Sequence, residues 1–559
     1  MSTYFEISGY IGNRTDSRRV RWGWIAASAV VALIAAFAVT TIPYGRAIWD
    51  FVFVLDGAYR ISLGQVPHVD FASPIGALTP YLTLAAETLF PGGNAFVGLH
   101  VLMWLLLLPA MAALAPRFNS NVSFLAGFGL LALMVLLPMT LDSTHLSEIS
   151  YFASYNRFAS GLLFLTGLWL VLPKSRHDWL LLAYVLLLLF FLKITAAAVA
   201  VGILVAAVVL GRSSARCAIA AVASFAFALM AVQATNGIVS AYLGDIVTMS
   251  ALNKGGAIYA LFFAGFRNWL GLVMTAGLAI SAIAAAAKQA DRTRLRPIAT
   301  VRTLLNQQAF AVDAVLLVAA ALFAESQNTG GLGLIAAAAL FFHPAAWGPH
   351  RTFTALLMAA ICFPVLDIAV KRPLTALTRE RQAAPEQALA ELMPGTRVPL
   401  STYEGSRLFA RIAQEWLPLA RQVEAARFFL TPDPTSNAPA VQLAWATGAV
   451  EAARAFDERG YRNRATHYTT LAFADPFARL LHLTPATGTA LVMDIDRTIP
   501  AFSPTEARTY LGSANGVFVS TCDLTDTGIR KAFEPVLRND FEQLPLTNCW
   551  DFYVRKGVN

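Results

Sequence analysis

The stretch RTDSRRVRWGWIAASAVVALIAAFAVTT, Arg14 to Thr41, places Arg14, Arg18, Arg19 and Arg21 ahead of an apolar run, Trp24 to Thr41, that carries no charge. A helix needs roughly 20 apolar residues to span a ~30 Å hydrocarbon core, and basic flanks stay on the cytoplasmic side. No small-residue cleavage site followed by a soluble body comes after the run, so it reads as a retained first span. Its N-terminal side is cytoplasmic.

The same pattern continues outward. The chain is 57% hydrophobic and 14% charged, against roughly 25% charged in soluble domains. From Trp22 to about Val370 the apolar residues come in membrane-length runs, and after Lys371 the runs stop. Expected spans are 23–42, 74–90, 95–115, 121–140, 157–172, 178–192, 194–210, 217–235, 268–287, 309–325, 331–347 and 351–370. Their ends are good to about 2–4 residues. The fold class is a polytopic α-helical membrane protein of 11–13 spans, residues 1–372, with a soluble α/β domain at 373–559.

Three loops read as cytoplasmic by their Lys and Arg content: Pro173–Asp178, Gly211–Arg216 and Lys288–Arg302, the last with Arg292, Arg294 and Arg296. The net charge of +8 therefore follows topology rather than nucleic-acid binding. Counting forward from Lys288–Arg302 puts the C-terminal domain outside, whereas twelve spans from the N-terminus put it inside. An odd number, eleven or thirteen, reconciles the two, with 43–93 or 178–210 as the place of the error.

In the tail, Arg407–Phe429 and Val450–Arg459 have helical apolar spacing, while Thr489–Asp494 and Gly516–Thr521 read as strands. Cys217 and Cys362 fall in apolar runs as buried thiols. Cys522 and Cys549 lie in strand-like segments and are able to pair if the tail is extracytoplasmic.

The loop after the first span, 43–73, is unlike the rest. IWDFVFVLDGAYRISLGQVPHVDFASPIGALTPYL, Ile48 to Leu82, holds Asp50, Asp56 and Asp70 between two spans, with Gly64, Pro67, Pro74 and Gly76 marking turns between short surface helices. The combination Asp50, Ala58, Arg60, Gly64, Pro67, Asp70, Phe71 resembles the first extracytoplasmic loop of the GT-C class of integral-membrane glycosyltransferases, such as protein O-mannosyltransferases and the lipid A aminoarabinose transferase. The class commonly has Asp-Glu where this chain has Asp50-Phe51, and Pro-Tyr where it has Pro67-His68. The resemblance covers the loop and the following span, and hardly touches the tail.

It implies transfer of a sugar from a polyprenyl-phosphate carrier to an extracytoplasmic acceptor at a bacterial-type inner membrane. Asp50 is then the candidate general base, and Asp70 a second catalytic acid that positions the acceptor or the base. Asp56, Arg60 and His68 are substrate-binding candidates from the same loop. Each aspartate also has a plain reading, as an interfacial acid or a helix cap. A divalent cation is left open as a cofactor, because Phe51 removes the carboxylate that would share it.

Elsewhere, Lys193 interrupts an apolar-rich stretch as either a membrane-embedded cation facing the carrier phosphate or the tip of a hairpin. The island Leu141–Phe158 gathers Asp142, His145, Glu148, Asn156 and Arg157, of which Glu148 and Arg157 are candidate substrate ligands; a solvated loop is the alternative. Glu325 and Gln327 end a span and either line a carrier pocket or cap the helix. Gly237–Gly256, with Asp245 and Lys254, reads as an external interfacial helix. Walker, dinucleotide and metalloprotease motifs are absent, which fits an enzyme that uses an already activated lipid donor. A secondary transporter or flippase is the competing function, and it predicts an inverted-repeat symmetry that the sequence lacks. The residues name neither the sugar nor the acceptor, whether glycan, lipid or protein.

Overall fold

The structure is a computed structural model describing residues 14–43, 48–138, 153–253, 256–290, 305, 307–327, 331–348, 351–380, 383–384, 387–410, 439–522 and 527–557. Glu148, Lys254, the arginines at 292, 294 and 296, and most of the expected helix 407–429 lie outside the described residues.

The chain opens with α1 (Arg14–Ala38), α2 (Ile48–Ser62), α3 (Leu78–Leu89), α4 (Ala95–Leu114), α5 (Asn121–Leu136) and α6 (Ser154–Val171). It continues with α7 (Asp178–Leu192), α8 (Ile194–Val209), α9 (Ala215–Asn236), α10 (Ile238–Leu252), α11 (Ala257–Arg267) and α12 (Trp269–Ala290). Then come α13 (Ala309–Ser326), a 3₁₀ helix (Ile335–Phe342) and α14 (Arg351–Glu380). Among the described residues six helices, α1, α4, α9, α12, α13 and α14, contain segments long and apolar enough to cross a bilayer, and shorter apolar helices lie among them. Their outward faces carry large apolar side chains such as Phe227, Met230, Ile280 and Phe363. An apolar surface of this extent suits lipid rather than water, consistent with a polytopic membrane protein.

The two ends of the bundle are chemically distinct. At one end Arg21 donates to Asn121 and to the Ala115 carbonyl, Arg117 pairs with Asp178 at 2.7 Å, and Arg212 and His343 each approach Asp313 at 3.5 Å. At the other end lie the first loop and the C-terminal domain, where Asn94 reaches the carbonyls of Pro394 and Gly395.

The expected span 74–90 does not connect these ends. Its helix, α3, has 12 residues, about 18 Å at 1.5 Å per residue. Both flanks sit at the loop end. A Cβ on Gly76 would lie 2.1 Å from the Phe191 carbonyl oxygen at the end of α7, and one on Gly93 would lie 2.3 Å from that of Ala36 at the end of α1. Only glycine allows such approaches. Glu87 of α3 is paired with Arg479 of the C-terminal domain. The expected span 331–347 is also different: the 3₁₀ helix 335–342 has all eight side chains buried and packs against α6 and α13. Its alanines, Ala336 to Ala339, admit the close contact with Gly167 of α6. Expected spans 178–192 and 194–210 appear as α7 and α8, broken at Lys193 in extended backbone.

The C-terminal domain contains α15 (Gln387–Leu392), α16 (Pro439–Glu458), α17 (Phe477–Leu480), α18 (Pro504–Tyr510) and α19 (Thr527–Asp540). Strands β1 (Ile42–Pro43), β2 (Phe71–Ala72), β3 (Ala383–Ala384), β4 (Thr396–Pro399), β5 (Tyr468–Leu471), β6 (Thr489–Ala490), β7 (Gly516–Ser520), β8 (Phe541–Pro545) and β9 (Trp550–Arg555) complete the structure. The main sheet has the order β5-β7-β9-β8, with β5 and β7 parallel and the other pairs antiparallel. The strand expected over 489–494 is only the two residues of β6. Cys522 and Cys549, following β7 and preceding β9, form a disulfide.

The first loop packs into this domain. Ile48, Trp49, Phe51, Val52, Phe53, Val54 and Leu55 of α2 share one buried core with α15, α16, β5 and β9. At roughly 1.5–3 kcal/mol per large apolar side chain, that face contributes on the order of 10 kcal/mol. Strand pairs β1–β4 and β2–β6 add backbone hydrogen bonds between the loop and the domain.

Candidate functional site

Four elements converge at the loop end of the bundle: the start of α2, the start of α6, the α7–α8 break and the end of α13. Asp50 lies in the first turn of α2, whose leading amide, Ile48 N–H, donates to Gln442 of α16 at 2.8 Å. A helix N-terminus favours a carboxylate. Desolvation outweighs that preference and raises the Asp50 pKa to about 7, with Arg497 of the C-terminal domain acting in the opposite sense. Among the described residues no donor is bonded to the Asp50 carboxylate. It lines a small cavity with Phe51, Val54, Phe96, Ser154 and Tyr155.

Tyr155 is the hinge of the arrangement. Its ring shares the cavity wall with Asp50, and the Lys193 ammonium lies 5.8 Å from its centroid. Lys193 Nζ donates to Asn156 Oδ1 at 2.6 Å and to the Gln327 carbonyl at 2.8 Å. Glu325 is buried, and its charge acts on Lys193. Lys193 is thus a break between two helices and also an embedded cation that ties α6 to the end of α13. Phe96 also lines a larger cleft between α3, α4 and the C-terminal domain, with Leu55, Glu87 and Arg479. The Phe96 ring packs on Phe51 at 4.6 Å.

Other candidates from the first loop point elsewhere. Asp56 and Arg60 form a buried pair at 2.7 Å, and Arg60 also reaches Asp475 at 3.7 Å and the Thr489 hydroxyl at 3.2 Å. Burial raises the Asp56 carboxyl, with Arg60 opposing the shift. The pair faces Asp475 and Thr489 of the C-terminal domain rather than the Asp50 cavity. Asp70 accepts from the Val66 amide at 2.7 Å and closes a turn, away from Asp50's cavity lining. His68, with φ +68°, presents Nδ1 to Asp245 of α10 at 2.7 Å and stacks on Tyr242 at 4.5 Å. Its Nε2 is buried without a partner among the described residues. Arg157 is fully buried and donates to His100 Nε2 at 3.0 Å, while His100 Nδ1 bonds the Phe96 carbonyl.

The structure therefore brings Asp50, Lys193, Glu325 and Gln327 to one end of the bundle and sets Asp56, Arg60, His68 and Asp70 in the seams around it. Tyr155 and Arg497 are additions: Tyr155 falls within the polar island, whereas nothing in the pattern Asp494-Ile495-Asp496-Arg497 marks the arginine. Among the described residues no cluster of three or more His, Cys, Asp or Glu is able to hold a metal ion. Comparison with known proteins finds no matching family model, curated protein or solved structure.

Proposed function

We propose that this chain is a membrane glycosyltransferase that moves a sugar from a polyprenyl-phosphate carrier to an acceptor on the extracytoplasmic side, with Asp50 as general base. The reading is carried by the position of Asp50. A carboxylate at a helix N-terminus, with its pKa raised to about 7, opens on a cavity at the loop end of an apolar bundle. A pKa near the working pH suits a base.

In this mechanism the acceptor O–H or N–H gives its proton to the Asp50 carboxylate as its heteroatom bonds to the anomeric carbon. The bond from that carbon to the phosphate oxygen breaks, and its electron pair leaves with the phosphate, giving polyprenyl phosphate. Lys193, Asn156 and Gln327 hold the Tyr155 wall against which the acceptor is placed. The carrier's chain lies among the lipid-facing helices.

The sidedness of this proposal rests on two observations. With α3 confined to one end, eleven expected crossings remain, because the buried 3₁₀ segment still runs from Gln327 at the loop end to His343 beside Asp313 at the other; an odd number supports opposite sides for the arginine-rich start and the C-terminal domain. The Cys522–Cys549 disulfide suits an oxidising compartment. The decisive experiment is transfer from a polyprenyl-phosphate sugar by purified Asp50→Asn protein. Wild-type rate in a well-folded variant would remove Asp50 as the base.

A further inference from the structure

The leaving phosphate needs a cation that solvent and substrate can reach. Lys193 is bonded internally to Asn156 and Gln327. Arg497 is different. Its side chain is 60% exposed and, among the described residues, has one ionic contact, to the half-buried Asp494 at 3.2 Å. Its charge reaches both Asp50 and Tyr155.

The backbone under it is fixed. The amides of Arg497, Thr498 and Ile499 all donate to the Asp494 carbonyl at 2.8–3.2 Å, and Thr498 Oγ1 donates to the Val492 carbonyl. Asn253, just after α10, donates to the Arg497 carbonyl at 3.0 Å. Beneath the turn, Met493 N–H bonds the Phe473 carbonyl, and the Phe473 ring packs on Trp49, the neighbour of Asp50, at 5.6 Å. A hydrogen-bonded turn that holds an exposed guanidinium where its charge acts on Asp50 suits phosphate binding, since the planar fork of arginine matches phosphate oxygens.

Building on the proposed carrier chemistry, we infer that Arg497 binds the phosphate of the polyprenyl donor, so the C-terminal domain completes the site rather than merely covering it. The guanidinium leaves Asp494 for the phosphate when the carrier is bound. It stays near the breaking bond and neutralises the charge left on the phosphate. Asn253 carries the same turn from the bundle side, so α10 and the domain both set the position of the arginine.

The test is direct binding of a polyprenyl phosphate, with the corresponding polyprenol as control, to the full chain in lipid nanodiscs. Wild-type protein should prefer the phosphate over the alcohol. Arg497→Ala should weaken phosphate binding at least tenfold and leave alcohol binding unchanged, with Arg497→Lys between the two. Asp494→Asn, which removes the competing carboxylate, should bind the phosphate as well as wild type or more tightly. Wild-type phosphate affinity in Arg497→Ala overturns the inference and leaves the carrier reading standing. A wild-type protein that does not distinguish phosphate from alcohol overturns both.

Discussion

Arg60 of the first loop and Asp475 of the C-terminal domain lie 3.7 Å apart in a buried cluster that also contains Asp56, bonded to Arg60 at 2.7 Å. Asp475 is fixed in turn by the Thr470 hydroxyl and by the Phe477 amide at the start of α17. Removing the shared cation leaves two buried carboxylates facing each other. Arg60→Met should cost about 3–5 kcal/mol, seen as a large fall in melting temperature in detergent or nanodiscs. Asp56→Asn should cost less, because Arg60 keeps Asp475. Equal melting of Arg60→Met and wild type would show that the cluster does not hold the loop to the domain.

Asp50 sets a pH profile with a defined sign. The proton-accepting form is the carboxylate, so kcat/KM should rise with pH through about 7 and level off above it. Arg497→Ala removes the charge that favours the carboxylate, so the same limb should move to higher pH. Asp50→Asn should reduce kcat by about 10²–10⁴. The same shift bears on folding: because the folded state holds this proton more tightly, the contribution to stability is fullest below the ordinary carboxylate range and is lost as pH rises through about 7. A rate independent of pH between 5 and 8 would separate Asp50 from the proton transfer.

Lys193 should act through position. Lys193→Met breaks the bonds to Asn156 and Gln327 that hold α6 against α13, and small displacements near a reacting group cost about 10²-fold in rate. The loss should fall on kcat, while the donor KM stays close to wild type. A donor KM that rises with kcat unchanged would make Lys193 a carrier ligand instead.

Topology gives a prediction that needs no substrate. Ser62→Cys before α3 and Pro91→Cys after it should react with a membrane-impermeant maleimide from the same face, and Arg176→Cys from the opposite one. Non-reducing peptide mapping should recover Cys522 joined to Cys549, with Cys217 and Cys362 as thiols. Loss of that bridge should cost about 2–4 kcal/mol.

How much of this is legible in the sequence depends on the range of the interaction. Apolar runs are local, so a bundle of apolar, membrane-length helices can be read from them. The run at 74–90 misleads because the partners that keep α3 on one side, Arg479 for Glu87 and Phe191 beside Gly76, are distant in the chain. Asp50 stands out through its loop pattern. Asp56 and Arg60 look like its companions, yet their i,i+4 spacing already suffices for a helical ion pair. Arg497 stays hidden for the opposite reason: an Asp-Ile-Asp-Arg turn in a polar domain resembles any solvated loop until the fold links it, through Met493 and Phe473, to Trp49 of α2.

The shared core of α2 and the C-terminal domain also fixes an order of events during synthesis. The apolar face of residues 48–55 is made roughly 400 residues before the strands and helices that cover it, an interval of roughly 20–80 s at 5–20 residues per second. Until then α2 packs on its bundle neighbours, Phe96 of α4 against Phe51 and Pro80 of α3 against Gly57, and the rest of that face is uncovered. The proposed active site therefore does not exist on a nascent chain, however complete its bundle. It forms once the final domain has folded over α2, so under the proposed sidedness the onset of activity waits on the completion of export.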